Sequence, residues 1–251
     1  MIGGSTRVFA ILGQPVSHSL SPAMHNAAFR ALGLDAVYVA IPCETPQVAP
    51  LMRTLAAAQG GGNVTAPHKE AARRAADRES DMVSRADACN TFFGRGGALH
   101  AENTDVVGVA ASLSMLESPS SGVLILGTGG AARAATLAAI ARSCSVAVRS
   151  RSDERRAAFE RWVESQGGEV AVERECRSVV NATPLGHGAD DPLPAEPAGL
   201  PPVEVVIDLI YRKGETPWVR AMRARGARAA DGRIMLISQG AAAFNCWFPE
   251  E

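Results

Sequence analysis

The chain has 251 residues, 26 acidic and 25 basic, a formal net charge of −1, 47% hydrophobic residues and 5% aromatics. That length supports one large or two small domains with a substantial core; the balanced charge gives no electrostatic case for nucleic acid or a membrane surface, and the few aromatics disfavour a base-stacking platform. No apolar run reaches membrane-spanning length, residues 1–5 lack the charged-then-apolar start of a signal peptide, and the five scattered cysteines contain no Cys-x-x-Cys pair, so no zinc or other metal site and no disulfide framework is expected and a reducing cytoplasm fits.

Residues 7–12 read as a buried strand ended by Gly13. A polar loop through Ser17, His18, Ser19 and Ser21 follows, then a helical pattern to residue 32. Ser21 before Pro22 reads as an N-cap with proline at the first helical position. The hydroxyls of Ser17, Ser19 and Ser21 therefore gather at a helix N-terminus, which attracts anions; equally, Ser21 caps and the others solvate the loop. His18 and His25 have no partner at metal-ligand spacing.

Residues 36–41 form a second strand and 48–58 a helix. Gly60-Gly61-Gly62 leads into Asn63-Val64-Thr65-Ala66-Pro67-His68-Lys69, where a short strand breaks at proline and a charged helix spans 69–78. Lys69, at this strand-to-helix junction, is either a cationic proton donor facing a cleft or a solvated surface lysine. Residues 91–93 and 98–100 are strand-like, bridged by 94–97. Asn103, Thr104 or Asp105 then caps the helix 106–115 or serves a cleft. Residues 117–122 are a polar connection.

Residues 123–126 form an apolar strand that meets Gly127-Thr128-Gly129-Gly130-Ala131, and a helix follows over 131–141. This is the strand–turn–helix setting in which G-x-G-x-x-G/A signals a dinucleotide site. Gly127 permits the tight turn, Gly129 lets backbone approach a pyrophosphate, and Ala132 allows close helix–strand packing. The pyrophosphate would sit on the free N–H groups of the helix. The next strand, 145–148, ends in Arg149-Ser150-Arg151-Ser152, with Arg155 and Arg156 beyond. An NAD site places an acidic residue here for the ribose hydroxyl, whereas arginine suits a 2′-phosphate. We expect NADP; a solvated arginine face is the alternative. Asp153 and Glu154 suit the first turn of the helix 154–165. Strands 169–172, 178–181 and 203–209, helix 216–225 and a final helix 232–247 complete the alternation. It implies a parallel, doubly wound α/β sheet with helices on both faces.

Ser19-Leu20-Ser21-Pro22, Asn63 to Lys69, Asn90-Thr91, Asn103-Thr104-Asp105, Gly127 to Ala131, Asn181-Ala182-Thr183-Pro184-Leu185-Gly186, Tyr211 to Pro217, Gly232 and Met235-Leu236-Ile237-Ser238-Gln239 occur in this order. Together they make the chain resemble the shikimate dehydrogenase family along nearly its whole length. The resemblance implies an N-terminal α/β substrate domain over 1–101 and a Rossmann-like, doubly wound NADP-binding domain over 102–234. A C-terminal helix, 235–251, would return to the first domain. It implies that Ser19 and Ser21, helped by Tyr211, hold the substrate carboxylate. Thr65, Lys69, Asn90, Asp105 and Gln239 would bond the ring hydroxyls, with Lys69 and Asp105 the catalytic pair. Gly127, Thr128, Gly129, Gly130 and Ala131 would cradle the pyrophosphate. Ser150, Arg151, Ser152 and Arg155 would form the 2′-phosphate loop, and Asp81, Leu209 and Gly232 would line the nicotinamide side.

The implied reaction is reversible NADPH-dependent reduction of 3-dehydroshikimate to shikimate, toward aromatic amino acids, by a cytoplasmic monomer or homodimer with small-molecule partners only. Val106, Ala101, Asp87 and Ile234 stand where the family usually has glycine. If those backbones need a left-handed conformation, stability or loop position would suffer. A relative acting on quinate or an amino analogue is the alternative among enzymes. A silent NADP-binding paralogue is another, and a folate-linked or tRNA-reductase type of dehydrogenase a third.

Overall fold

In the computed structural model, which describes residues 2–187 and 191–249, the first apolar run forms strand β1 (Arg7–Gly13). Phe9 and Ile11 face one core and Ala10 and Leu12 another, which is why the run is continuously apolar rather than alternating. The strand lies in the first of two units: Met1–Thr104 with Gln239–Glu251, and Asp105–Ser238.

The first unit continues with α1 (Ser21–Ala31), β2 (Ala36–Pro42), α2 (Thr45–Ala57), β3 (Gly61–Val64), α3 (Lys69–Ala75), β4 (Arg78–Glu79), α4 (Asp81–Ala86), β5 (Thr91–Arg95) and β6 (Ala98–Glu102). Its sheet has the order β2-β1-β3-β5-β6-β4. β1 runs parallel to β2 and β3, whereas β5 is antiparallel to β3 and β6. Val48 and Met52 of α2, Ala72 of α3 and Val83 of α4 pack on one face. Phe29 of α1 and Ala243, Trp247 and Phe248 from the end of the chain pack on the other.

The second unit holds α5 (Asp105–Met115), β7 (Gly122–Leu126), α6 (Gly130–Ile140), β8 (Val146–Arg149), α7 (Asp153–Ser165), β9 (Cys176–Asn181), β10 (Val205–Asp208), α8 (Pro217–Ala224) and β11 (Arg228–Ala230). Its sheet, β11-β10-β9-β7-β8, is parallel throughout. Val123 and Ile125 pack with α5, α6 and α7, while Leu124 and Leu126 pack with Trp218, Val219 and Met222 of α8. The expected doubly wound sheet is therefore present. Helix α9 (Arg233–Trp247) starts in this unit, and from Gln239 onward belongs to the first. There Trp247 donates its indole N–H to Phe92 O at 3.2 Å and lies 4.9 Å from the Phe9 ring.

Three expectations need correction. The strand over 169–172 shrinks to one bridge, Val170 with Val146, because Val172 is exposed and the chain turns at once into Glu173–Glu175. With that bridge counted as a strand, the order is that of a full Rossmann sheet, 3-2-1-4-5-6. The helix from Lys69 stops at Ala75 rather than 78. Asp77 donates its N–H to Leu99 O and accepts the Leu99 N–H, both at 2.9 Å, which draws the chain into the sheet as β4. Ser21 is the first helical residue, not the N-cap; Leu20 takes that place and makes no side-chain cap. Short α4, β4 and β11 lack the length for a legible period.

His25 of α1 is buried, stacked 4.6 Å from Tyr38 and 4.9 Å from Trp247. Burial pushes its pKa from 6.5 down to about 4. Above pH 6.5 the ring is neutral in folded and unfolded chains alike. Below it the unfolded chain takes the proton first, so stability falls until about pH 4, by about 3 kcal/mol. Denaturant titrations across that range should show the loss in the unaltered protein and its disappearance in His25→Phe; an equal loss in both would refute it.

Candidate active site

The loops of the first unit that carry sequence-predicted residues leave the carboxyl ends of β1 and β3, where open α/β sheets bind ligands. Ser19 Oγ, one residue before the Leu20 N-cap, accepts the Ser21 N–H at 3.2 Å, which ties the loop to the first residue of α1. The loop starts beside the other one: Gln14 N–H donates to Ala66 O at 3.3 Å. After β3, Thr65 O accepts the His68 N–H at 3.0 Å. His68 is buried, with Nε2 2.8 Å from Cys43 O and Nδ1 3.1 Å from Thr45 Oγ1. That fixes the start of α3, whose first residue is Lys69. Lys69 O accepts the Cys89 N–H at 2.9 Å, which sets Lys69 beside the segment carrying Asn90.

Asn90 sits in a buried polar network. Its Nδ2 donates to Thr104 Oγ1 at 2.9 Å and to Gln239 Oε1 at 3.3 Å, and its Oδ1 accepts the Thr104 N–H at 2.7 Å. Behind it, Asn63 donates to Asn90 O and to Thr91 Oγ1, at 3.2 and 3.0 Å, and accepts the Tyr38 hydroxyl at 2.7 Å. Buried polar groups are costly unless paired, so these bonds fix which way each amide points. Asp105 follows Thr104 directly; it is buried as the first residue of α5, where a carboxylate suits the helix dipole. Asp81 opens α4 behind a capping Ser80 and is exposed.

In the second unit, Gly127 has φ +108°, and a Cβ there would meet Ala182 O and Thr183 Cγ2 at 3.2 Å. Only glycine fits that turn. A Cβ on Gly129, the N-cap of α6, would meet nothing within 4 Å, so the space over the helix N-terminus is open. The turn lies between β7 and β9, where the strand order reverses. Thr128, Gly130 and Ala131 complete it, and Ala132 is wholly buried. These residues fit a dinucleotide. Beyond β8, Ser150 Oγ accepts the Ser152 N–H and Ser152 Oγ the Arg155 N–H, each at 3.3 Å, which shapes the arginine loop. Its arginines divide by role. Arg149 pairs with Glu173, and Arg156 with Glu160 at 3.0 Å and Asp153 at 3.3 Å. Arg151 and Arg155 are exposed and form no ion pair among the described residues. Leu209 and half-buried Tyr211 follow β10; Leu209 N–H donates to Asn181 O at 3.0 Å, and Gly232 N–H to Ile210 O at 2.9 Å.

Comparison with known proteins decides the family. A shikimate dehydrogenase substrate-binding domain model matches residues 11–92. A shikimate dehydrogenase (NADP(+)) of Gluconobacter oxydans is 38% identical, over 99% of this chain and 92% of its own length. The chain belongs to the shikimate dehydrogenase family. Solved family members agree: one from Aquifex aeolicus is 31% identical with a TM-score of 0.89, covering 99% of this chain and 95% of that one. Another, from Thermus thermophilus in complex with NADP(H) and shikimate, is 35% identical with a TM-score of 0.88, covering 96% and 93%.

The four departures from the family's usual glycines can now be weighed. Among the described residues only Gln59, Asp87, Glu117 and Ser143 are non-glycines with positive φ. Ala101 lies within β6, and Val106 and Ile234 within α5 and α9, so none of the three carries left-handed strain. Asp87, at φ +50°, ends α4, and its carboxylate pairs with Arg73 at 2.5 Å; aspartate is among the residues that tolerate this conformation. Sequence reasoning missed Tyr38, Asn63, Thr91 and Thr104 as a network. For Tyr38, Asn63 and Thr91 the available signal was polar groups inside strands that are otherwise apolar; Thr104 lies outside any strand and gave none.

Proposed function

We propose that this protein is an NADP-dependent oxidoreductase that interconverts 3-dehydroshikimate and shikimate, a step in aromatic amino acid biosynthesis. The carrying observation is the buried amide pair of Asn90 and Gln239, 3.3 Å apart and tied to Thr104, next along the chain from Asp105. Oriented amides of this kind bond the hydroxyls of a polyol ring and reject substrates lacking them. Ser19 and Ser21 at the start of α1 take the substrate carboxylate, and Thr65 a ring hydroxyl. NADPH, when bound, supplies the reducing equivalent for the ring ketone. Lys69 stabilises the developing alkoxide by charge and delivers its proton; in the reverse direction it assists the proton's removal. Asp105 is the lysine's partner in the catalytic pair and orients the substrate hydroxyl. Arg151 and Arg155 read the 2′-phosphate.

The described residues include no helix long and apolar enough to cross a membrane. Five free cysteines, four of them buried, support a place in the reducing cytoplasm. Small molecules are its partners, without nucleic acid, and it works as a monomer or homodimer.

Purified protein should form NADPH from shikimate and NADP, with quinate and NAD as much poorer substitutes. NADP binding without turnover of shikimate would instead favour a silent paralogue; turnover of quinate in preference would move the substrate assignment.

A further inference from the structure

Asp208, the last residue of β10, is completely buried, and nothing in the reaction above uses it. Burial raises its pKa, yet three donors converge on it. Oδ1 accepts Asn181 Nδ2 at 2.8 Å and the Ile210 N–H at 3.2 Å; Oδ2 accepts the Thr216 hydroxyl at 2.8 Å. These donors come from three segments: the end of β9, the turn after β10 and the start of α8.

Two of the three lead to the nucleotide side. Asn181 Oδ1 accepts both the N–H and the hydroxyl of Thr183, at 2.9 and 2.7 Å. Thr183 Oγ1 then accepts the Leu185 N–H at 3.2 Å. The Ala182–Thr183 loop held in this way is the wall against which Gly127 packs with no room for a Cβ. The second lead is Ile210, between Leu209 and Tyr211. Its N–H is held by the carboxylate while its O accepts the Gly232 N–H at 2.9 Å. One carboxylate thus sets both the wall of the glycine turn and the turn that carries Leu209. A structural cap alone would need only the Thr216 bond.

We propose that Asp208 is a positioning residue for the bound dinucleotide, acting through Asn181 and Ile210 on the two loops that border it. The inference rests on the NADP reading above and extends it to a fully buried residue behind those two loops.

Asp208→Asn keeps the shape but removes the charge, so the bonds from Asn181 and Ile210 lose their charge assistance. Calorimetric titration with NADP should give a Kd about three- to tenfold weaker than that of the unaltered protein, and more than about tenfold weaker in Asp208→Ala. The KM for shikimate should stay within about twofold in both. If Asp208→Ala does not fold, Asp208→Asn carries the test alone. Equal NADP affinity in Asp208→Asn and the unaltered protein would overturn the proposal. So would a KM for shikimate that rises in step with the Kd for NADP, since that marks general loosening. If the unaltered protein itself failed to bind NADP, the NADP reading would fall, and this inference with it.

Discussion

Lys69→Ala is expected to lower kcat by about 10³-fold while leaving the Kd for NADP within about twofold. Two losses combine at this position: the proton donor to the developing alkoxide, and the cation that stabilises it before transfer. General acid catalysis alone is worth about 10²–10⁴-fold. Folding should be spared. Its backbone O accepts the Cys89 N–H at 2.9 Å, and alanine keeps that bond. Lys69→Arg separates the two losses. Arginine retains the charge but does not release its proton at accessible pH, so its activity should recover only the electrostatic part. Steady-state rates for both variants, alongside NADP titrations, check this. Near-normal kcat in Lys69→Ala would remove Lys69 from the chemistry.

The second large effect is expected at the arginine loop. Arg151→Ala with Arg155→Ala should raise the KM for NADP by about 10²–10⁴-fold, since each charge-assisted bond to a phosphate is worth about 1.5–3 kcal/mol. The KM for NAD should barely move, because NAD has no 2′-phosphate to lose. Arg149→Ala is the contrasting variant. Its guanidinium is spent on Glu173 and, at 3.1 Å, on Gly199 O, so its replacement should lower stability more than it changes cofactor preference. A parallel rise in both cofactor constants in the double variant would show that the loop has lost its shape rather than a phosphate contact.

The same loop shows how far the residues alone could be read. Four arginines within eight positions pointed to a phosphate, but the linear order could not say which of them were already engaged. Glu173 and Glu160 sort them, at separations of 24 and 4 residues. The buried network is a sharper case. Asn63, Asn90, Thr104 and Gln239 are far apart along the chain, and the bond from Asn90 to Gln239 spans 149 residues. No periodicity or spacing rule reaches across that distance. The glycine positions ran the other way: the sequence raised a question of left-handed strain at four sites, and only the backbone could answer it, at Asp87 alone.

By itself the sequence determined what depends on local physics. Apolar runs buried on both faces marked the central strands, and the turn from Gly127 into α6 marked the nucleotide end of the second unit, because strand, glycine turn and helix are one contiguous segment. The ordered motifs marked the family. Tertiary structure decided the rest. It trimmed the strand over 169–172 to a single bridge at Val170, put Leu20 rather than Ser21 at the N-cap of α1, and gathered Asn181, Ile210 and Thr216 around Asp208. The reason is physical: a helix start or a tight turn is set by neighbours a few residues away, whereas the pairing of a buried polar group is set by whichever donor the folded chain brings within about 3 Å.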